Sequence, residues 1–332
     1  MKIAIVKLSA LGDIVHAMVV LQFIKKFNKE ISIDWIVEDS YKDLLKSNPH
    51  INKVYLINIK HAKKKKSFLA LIKEFKKVLK LPNYDLVIDM QGLIKSAFVS
   101  KLIPSKQTLG FDKFSSREGL SALFYNKTFN YGYDKNVIER NISLIEFALS
   151  LDVNKLEIIN KEPFLFYSQE YLIMGLSHKK KNILIIPGAS HQSKRYPISN
   201  FSQIINLIDA NFFIIWGDNN EKILAEKIRA ISPSVNICDK LSIDSLISVI
   251  SQMSLVIGPD TGPTHMAWAL NIPSITLFGS TPGRRNAYIT KTNQIVESNS
   301  KVNSFKIDKN DFSINNVSAE RVVRLARKLM TK

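Results

Sequence analysis

Cysteine is nearly absent from these 332 residues: Cys238 stands alone. A disulfide within the chain is excluded, as is a zinc site built from cysteines, and a reducing, cytoplasmic setting is expected. No uninterrupted apolar run of about 18 residues occurs, so no segment reads as a membrane span. The apolar start MKIAIVKLSALGDIVHAMVV is interrupted by Lys7 and Asp13, and reads as strand, turn and helix rather than a secretory h-region. Glycine is missing where a dinucleotide fold needs it. The loop VKLSALGDIVHAM has Gly12 but no GxGxxG, which argues against a nicotinamide oxidoreductase. Acid is scarce as well, with 29 Asp plus Glu against 47 Lys plus Arg. The net charge of +18 implies anionic company: nucleic acid, an acidic membrane face or a phosphorylated ligand.

What the chain does have is alternation. KIAIV, SIDWIV, KVYLIN and YDLVIDM read as strands in the first half, and IVHAMVVLQFIKKF as the first helix. A continuous run such as IAIV suits a strand buried on both faces of a parallel sheet. The rhythm fades over residues 151–180, where Pro163 falls. A second series follows, with strands NILIIP, NFFIIWG, SLVIG and SITLFG. Helices PISNFSQIINLID, NEKILAEKIRA, SIDSLISVISQ and TGPTHMAWAL lie between or after them. The class is α/β: two Rossmann-like, doubly wound domains, 1–165 and 166–332, expected to face each other across a cleft. The last helix, capped by Ser318, is a candidate to cross back onto the first domain.

Four loops at strand ends carry chemistry. GPDTGPTHMAWAL (258–270) contains the chain's one Asp-Thr-Gly triplet. A pepsin-like protease needs two such triplets in a β-rich chain, so that reading fails. Gly262 permits close backbone approach, Pro263 suits a first helical turn, and Asp260 or Thr261 is a candidate cap. His265 falls in the same first turn, so the segment reads as a phosphate-binding helix mouth or, more plainly, as a capped helix. In IIPGASHQSKRYP, small residues after a strand precede Lys194, as in a diphosphate cradle. In IIWGDNNEKIL, Glu221 is placed either to hold a ribose diol or simply to favour a helix N-terminus. In the first half, Asp13 opens a helix and is a candidate general base or a plain cap.

Residues 60–80, KHAKKKKSFLALIKEFKKVLK, hold nine lysines against Glu74 alone. This is a solvated face, a contact for acceptor phosphates, or a surface for an anionic bilayer. Arg117, in SSREG, is another candidate anion contact. Nucleic acid is not expected, since KHAKKKK lacks aromatic interleaving and no recognised nucleic-acid motif occurs.

The pieces KLSALGDIVHAM, YDLVIDMQGLIKSA, SSREGLSALFYNK, Lys194–Tyr196–Pro197, WGDNNE and GPDTGPTHMAWALNIPSITLFG run in one order across nearly the whole chain. In that order they resemble the bacterial lipopolysaccharide heptosyltransferases, and His16 after Gly-Asp-Ile-Val favours the type I members over type II. The resemblance implies a GT-B fold, with the acceptor in the first domain and the donor in the second. It implies inverting transfer of L-glycero-D-manno-heptose from ADP-heptose to the inner Kdo of Kdo2-lipid A. No metal or other cofactor is implied. The enzyme would work peripherally, at the anionic inner face of the cytoplasmic membrane.

Carried over by position, Asp13 is the base and Lys194 steadies the leaving diphosphate and the heptose. Ala189 and Ser190 lie in the phosphate cradle, Glu221 holds the ribose and Leu241 packs near adenine. Asp260, Thr261, Gly262 and His265 bind heptose and pyrophosphate. Gly12, Lys60, His61, Lys64 and Arg117 meet the acceptor. Three departures stand out: Ala189 replaces a hydroxyl residue, His61 replaces an arginine, and the lysine run is heavier.

Overall fold

The apolar runs picked out above become the central strands of two sheets. The computed structural model describes residues 1–331, which divide into two units, 1–164 and 165–331. In the first unit β1 (Lys2–Val6), β2 (Ser32–Glu38), β3 (Lys53–Ile57), β4 (Tyr84–Asp89), β5 (Ser105–Phe111) and β6 (Lys127–Phe129) form one parallel sheet, ordered β3-β2-β1-β4-β5-β6. In the second unit β7 (Asn182–Ile185), β8 (Asn211–Ile214), β9 (Asn236–Ile237), β10 (Leu255–Pro259), β11 (Ser274–Phe278) and β12 (Asn293–Glu297) repeat the plan, ordered β12-β11-β10-β7-β8-β9. Both are doubly wound α/β sheets. Their central strands are buried on both faces, as IAIV and NILI foretell. The strands absent from the sequence reading, β5, β6, β9 and β12, are short or polar; three of them are edge strands and β5 lies beside an edge.

The order matters because it sets the switch points. Chain leaving β1 and chain leaving β4 depart on opposite faces, opening a crevice at the carboxyl ends of these neighbours; β7 and β10 do the same in the second sheet. Asp13 follows β1. Lys194 follows β7, and Asp260 follows β10. Local signals then fix the helices. The Asp218, Ser242 and Ser318 side chains each accept a first-turn amide of the helix they precede. IVHAMVVLQFIKKF, expected as one helix, forms Leu11–Met18 and Val20–Phe27, with Val19 still in helical conformation between them.

The final helix, Ala319–Met330, packs in the core of the second unit. Val322, Val323, Ala326 and Leu329 join the core under β10 and β11, and Arg327 Nη2 donates to the Leu207 carbonyl at 2.7 Å. The apolar stripe of this helix matches the second sheet, which is why it settles there.

Behind the first switch point a buried polar knot shapes the loops. Asp89 is fully buried; its Oδ2 accepts the Tyr125 hydroxyl at 2.8 Å, and its Oδ1 accepts the Gln91 and Gly92 amides at 2.8 and 3.3 Å. Burial pushes the Asp89 carboxyl up, against these hydrogen bonds. Gly110 makes room for the phenol, since a Cβ there would lie 2.3 Å from the Tyr125 ring. Tyr125→Phe should therefore lower stability by about 1–3 kcal/mol, as a buried carboxylate loses a donor. A urea midpoint equal to wild type would contradict this.

Candidate active site

At the second switch point one carboxylate gathers three partners. Asp260 lies just past β10 and is buried; its Oδ2 meets Lys194 Nζ at 2.9 Å and its Oδ1 meets His265 Nε2 at 2.9 Å. Asn286 Nδ2 adds a third contact, to Oδ2, at 3.2 Å. Burial alone would raise the Asp260 carboxyl, but the Lys194 ammonium and the His265 imidazole hold it well below the usual carboxylate range. Asp260 is thus not the helix cap that its position invited. Thr261 occupies the cap position of helix Gly262–Ala269 without a side-chain cap bond, and Pro263 opens its first turn. Thr264 is turned inward, its hydroxyl donating to the Pro259 carbonyl at 2.8 Å. The mouth therefore offers uncapped first-turn amides beside a buried ammonium, an arrangement suited to a phosphate group.

The cradle after β7 completes this corner. Gly188 and Ala189 are buried, Ser190 is exposed, and Lys194 ends a short 3-10 turn, Gln192–Lys194. Ser280 Oγ, from the loop after β11, donates to the Ser193 carbonyl at 3.3 Å and pins this turn. Burial and the positive charges of Lys309 and Lys194 lower the pKa of His191, marking the loop as electropositive. Glu221 is the third residue of helix Asn219–Ile231, and its Oε2 accepts the Gly217 amide at 2.7 Å. Its carboxylate reaches across to the loop after β7, where a Cβ on Gly188 would lie 2.1 Å from Oε1. So Glu221 serves its helix N-terminus and also borders the cradle. Leu241 sits half-buried after β9, at the sheet edge, apart from the Lys194 cluster.

In the first unit Asp13 is the third residue of helix Leu11–Met18 and is exposed. Its Oδ2 accepts the Ala10 amide at 3.2 Å, so it caps its helix and still presents a carboxylate to solvent. Gly12 precedes it in the same turn. The loop is held from behind by Gln91, whose Oε1 accepts the Leu8 and Ser9 amides at 2.7 and 3.3 Å. Lys7 Nζ donates to the Met90 carbonyl at 2.9 Å. Tyr41 lies in the same field: burial, then the Glu38 and Asp13 carboxylates, raise its pKa.

Glu38, buried at the end of β2, accepts Lys95 Nζ at 2.9 Å and the Lys60 amide at 3.2 Å, which fixes the start of helix Ile59–Lys64. The Lys60, His61 and Lys64 side chains on that helix are exposed. Arg117 is exposed on a loop that buried Arg140 holds through the Ser115 and Gly132 carbonyls, each at 2.7 Å.

The structure brings Lys194, Asp260 and His265 together and adds supports that no motif marked: Asn286 and Ser280 in GSTPGRRN, Gln91 in DMQG, and Glu38, Tyr41 and Lys95. The first two stretches carry a usable signal, polar residues directly after a buried strand. Glu38 and Tyr41 have none before the register is known.

The comparisons with known proteins agree on one family. The signature of glycosyltransferase family 9 (heptosyltransferase) matches residues 72–312. Lipopolysaccharide heptosyltransferase 1 of Campylobacter coli is 40% identical, over 99% of each chain. Lipopolysaccharide heptosyltransferase 1 of Escherichia coli K12 is 27% identical, over 87% of this chain and 91% of its own. The structure of E. coli heptosyltransferase WaaC with ADP superposes with a TM-score of 0.81 at 23% identity, covering 99% of this chain and 100% of its own.

Removing the charge of Asp260 leaves Lys194 buried beside a neutral amide. Asp260→Asn should cost about 3–5 kcal/mol at neutral pH. Because the folded carboxyl is depressed, its stabilisation is fully present above the unfolded value, near 3.9, and is lost only as pH falls through the folded one. The gap between wild type and variant in urea unfolding should hold from pH 7 to about pH 4 and narrow below. A gap that closes near pH 6 would point to His265 instead.

Proposed function

The chain belongs to glycosyltransferase family 9, and from that premise we propose that it moves L-glycero-D-manno-heptose from ADP-heptose to the inner Kdo of Kdo2-lipid A, inverting the anomeric carbon. The observation that carries this reading is the full-length likeness to a type 1 lipopolysaccharide heptosyltransferase. The cationic helix mouth at Asp260 and Lys194 supports it, because the leaving group is a nucleoside diphosphate.

The chemistry follows from what such a transfer demands. A Kdo hydroxyl gives its proton to the exposed Asp13 carboxylate as its oxygen attacks the anomeric carbon. The bond from that carbon to the β-phosphate oxygen breaks, and its electron pair departs with ADP. Lys194 and the first-turn amides of helix Gly262–Ala269 meet the growing phosphate charge, and no metal enters the scheme. Ala189 contributes backbone only, and Ser190 a hydroxyl. Glu221 takes the ribose diol, Leu241 borders the adenine, and Thr261, Gly262 and His265 border the heptose and diphosphate. Gly12, Lys60, His61, Lys64 and Arg117 receive the anionic acceptor. Because the acceptor is a lipid, the enzyme works as a peripheral protein at the anionic inner face of the cytoplasmic membrane.

Transfer from ADP-heptose to Kdo2-lipid A, followed by mass spectrometry, tests the reading. Wild type should add one heptose, and Asp13→Ala should lower kcat by about 10²–10⁴ while donor KM changes little. No product from wild type, with product from an acceptor already bearing a heptose, would replace this acceptor with the type II one. Undiminished turnover in the variant would remove Asp13 as the base.

Glu221→Ala should raise the KM for ADP-heptose about tenfold, as a charged acceptor of two hydroxyls is lost. Gly188→Ala should move KM the same way with the fold retained, since the atoms nearest its Cβ, at 2.1–2.8 Å, all belong to the Glu221 side chain, which must swing aside. An unchanged KM in both would detach Glu221 from the donor.

A further inference from the structure

The lysine-rich stretch does not stand alone on the surface. Its helix, Phe68–Leu79, lies beside helix Ile94–Leu102, with the Phe75 and Phe98 rings edge-on at 4.9 Å. Phe98 in turn meets Phe124 of the 3-10 turn Gly119–Phe124 at 6.0 Å. These three neighbouring elements expose large apolar side chains. Phe68 and Leu69 are 74% and 79% exposed, and Leu120 and Leu123 are 65% and 80% exposed. Isolated exposed leucines are ordinary; several on adjoining elements are not.

Both helices follow strands of the parallel sheet and run back against them, so their first residues lie at its carboxyl edge. Phe68, Leu69 and Ile94 therefore share the edge from which the Asp13 loop emerges. The Ile94 amide donates to Glu118 Oε2 at 2.8 Å, which ties the 3-10 turn to the same end.

The charge around these side chains is of one sign. Of the nine lysines in residues 60–80, only Lys77 has a carboxylate partner among the described residues, and that partner is Glu74. Glu74 is buried, with its other oxygen accepting the Asn58 amide at 2.8 Å. The single acid of the stretch is thus turned inward, and the outward face is cationic. Two such faces would repel each other, which disfavours a second copy as the occupant. An apolar centre with a lysine rim matches a bilayer with anionic headgroups.

We infer that this face docks on an anionic lipid surface, with Phe68, Leu69, Leu120 and Leu123 entering the interface and the lysines meeting headgroup phosphates. The inference rests on the lipid-linked acceptor proposed above. It adds the side of the first unit that meets the membrane, and an apolar contribution that charge alone does not supply.

Flotation of the full chain with acceptor-free vesicles, either phosphatidylglycerol-containing or pure phosphatidylcholine, tests it. Wild type should float with the anionic vesicles and not with the neutral ones, and added salt should weaken the binding. Phe68→Ser with Leu69→Ser, and separately Leu120→Ser with Leu123→Ser, should each weaken anionic binding about tenfold at fixed salt. The exposure of these side chains keeps both variants folded, which thermal melting verifies.

Equal binding by wild type and both variants would overturn apolar insertion, and absence of wild-type binding would overturn the docking face. A wild-type dimer in sedimentation velocity that becomes monomeric in the variants would assign the face to self-association instead. Heptose transfer to detergent-dispersed acceptor is run alongside. Its persistence without vesicle binding sinks this inference alone, and its absence sinks the proposed reaction.

Discussion

A single buried carboxylate organises the second unit. Asp260 would be costly to hold in so dry a place without partners, and it has three: an ammonium, an imidazole and an amide. The consequence is geometric more than energetic. Lys194 is a long side chain that water would leave disordered, yet here its head is fixed beside the first turn of helix Gly262–Ala269. A diphosphate arriving there meets a charge already oriented, with less ordering left to the binding step. His265 is fixed by the same carboxylate.

The first unit solves a similar problem with hydrogen bonds in place of an ion pair. Asp89 and Tyr125 fix the turn after β4, Gln91 carries that order sideways to the Leu8 and Ser9 amides, and Ala10 passes it to Asp13. Both sites stand where neighbouring strands send their chains to opposite faces, because the two sheets share one strand order. The fold therefore supplies two crevices of the same construction. The side chains give one a buried, ion-paired lysine beside an uncapped helix start and the other an exposed carboxylate.

Much of this was legible in the residues. IAIV, NILI and SLVI read as central strands because each is a short apolar run closed by a loop, the length of a strand buried on both faces rather than of a helix. The loops after them followed, and with them Asp13, Lys194 and Asp260, as Glu221 followed NFFI. What stayed hidden depends on register and on distance across the sheet. No local pattern pairs Asp260 with Lys194, 66 positions earlier, so its carboxylate read as a candidate cap or a ligand contact and not as half of an ion pair. Gln91 and Asn286 act on loops far from their own in sequence. Strands β5 and β12 are polar on the page because one lies near an edge and the other at one. The lysine run read as charge alone; the apolar residues beside it gained meaning only once two other elements were set next to it.

In the proposed reaction Asp260 and Lys194 act as one unit toward the donor. A double-mutant cycle of Asp260→Asn and Lys194→Met, read as calorimetric affinity for ADP-heptose, tests it most directly. If Asp260 works by holding Lys194, the double variant should lose little more than Lys194→Met does, with a coupling above about 1 kcal/mol. Losses that add to within about 0.5 kcal/mol would show two independent residues and contradict the account.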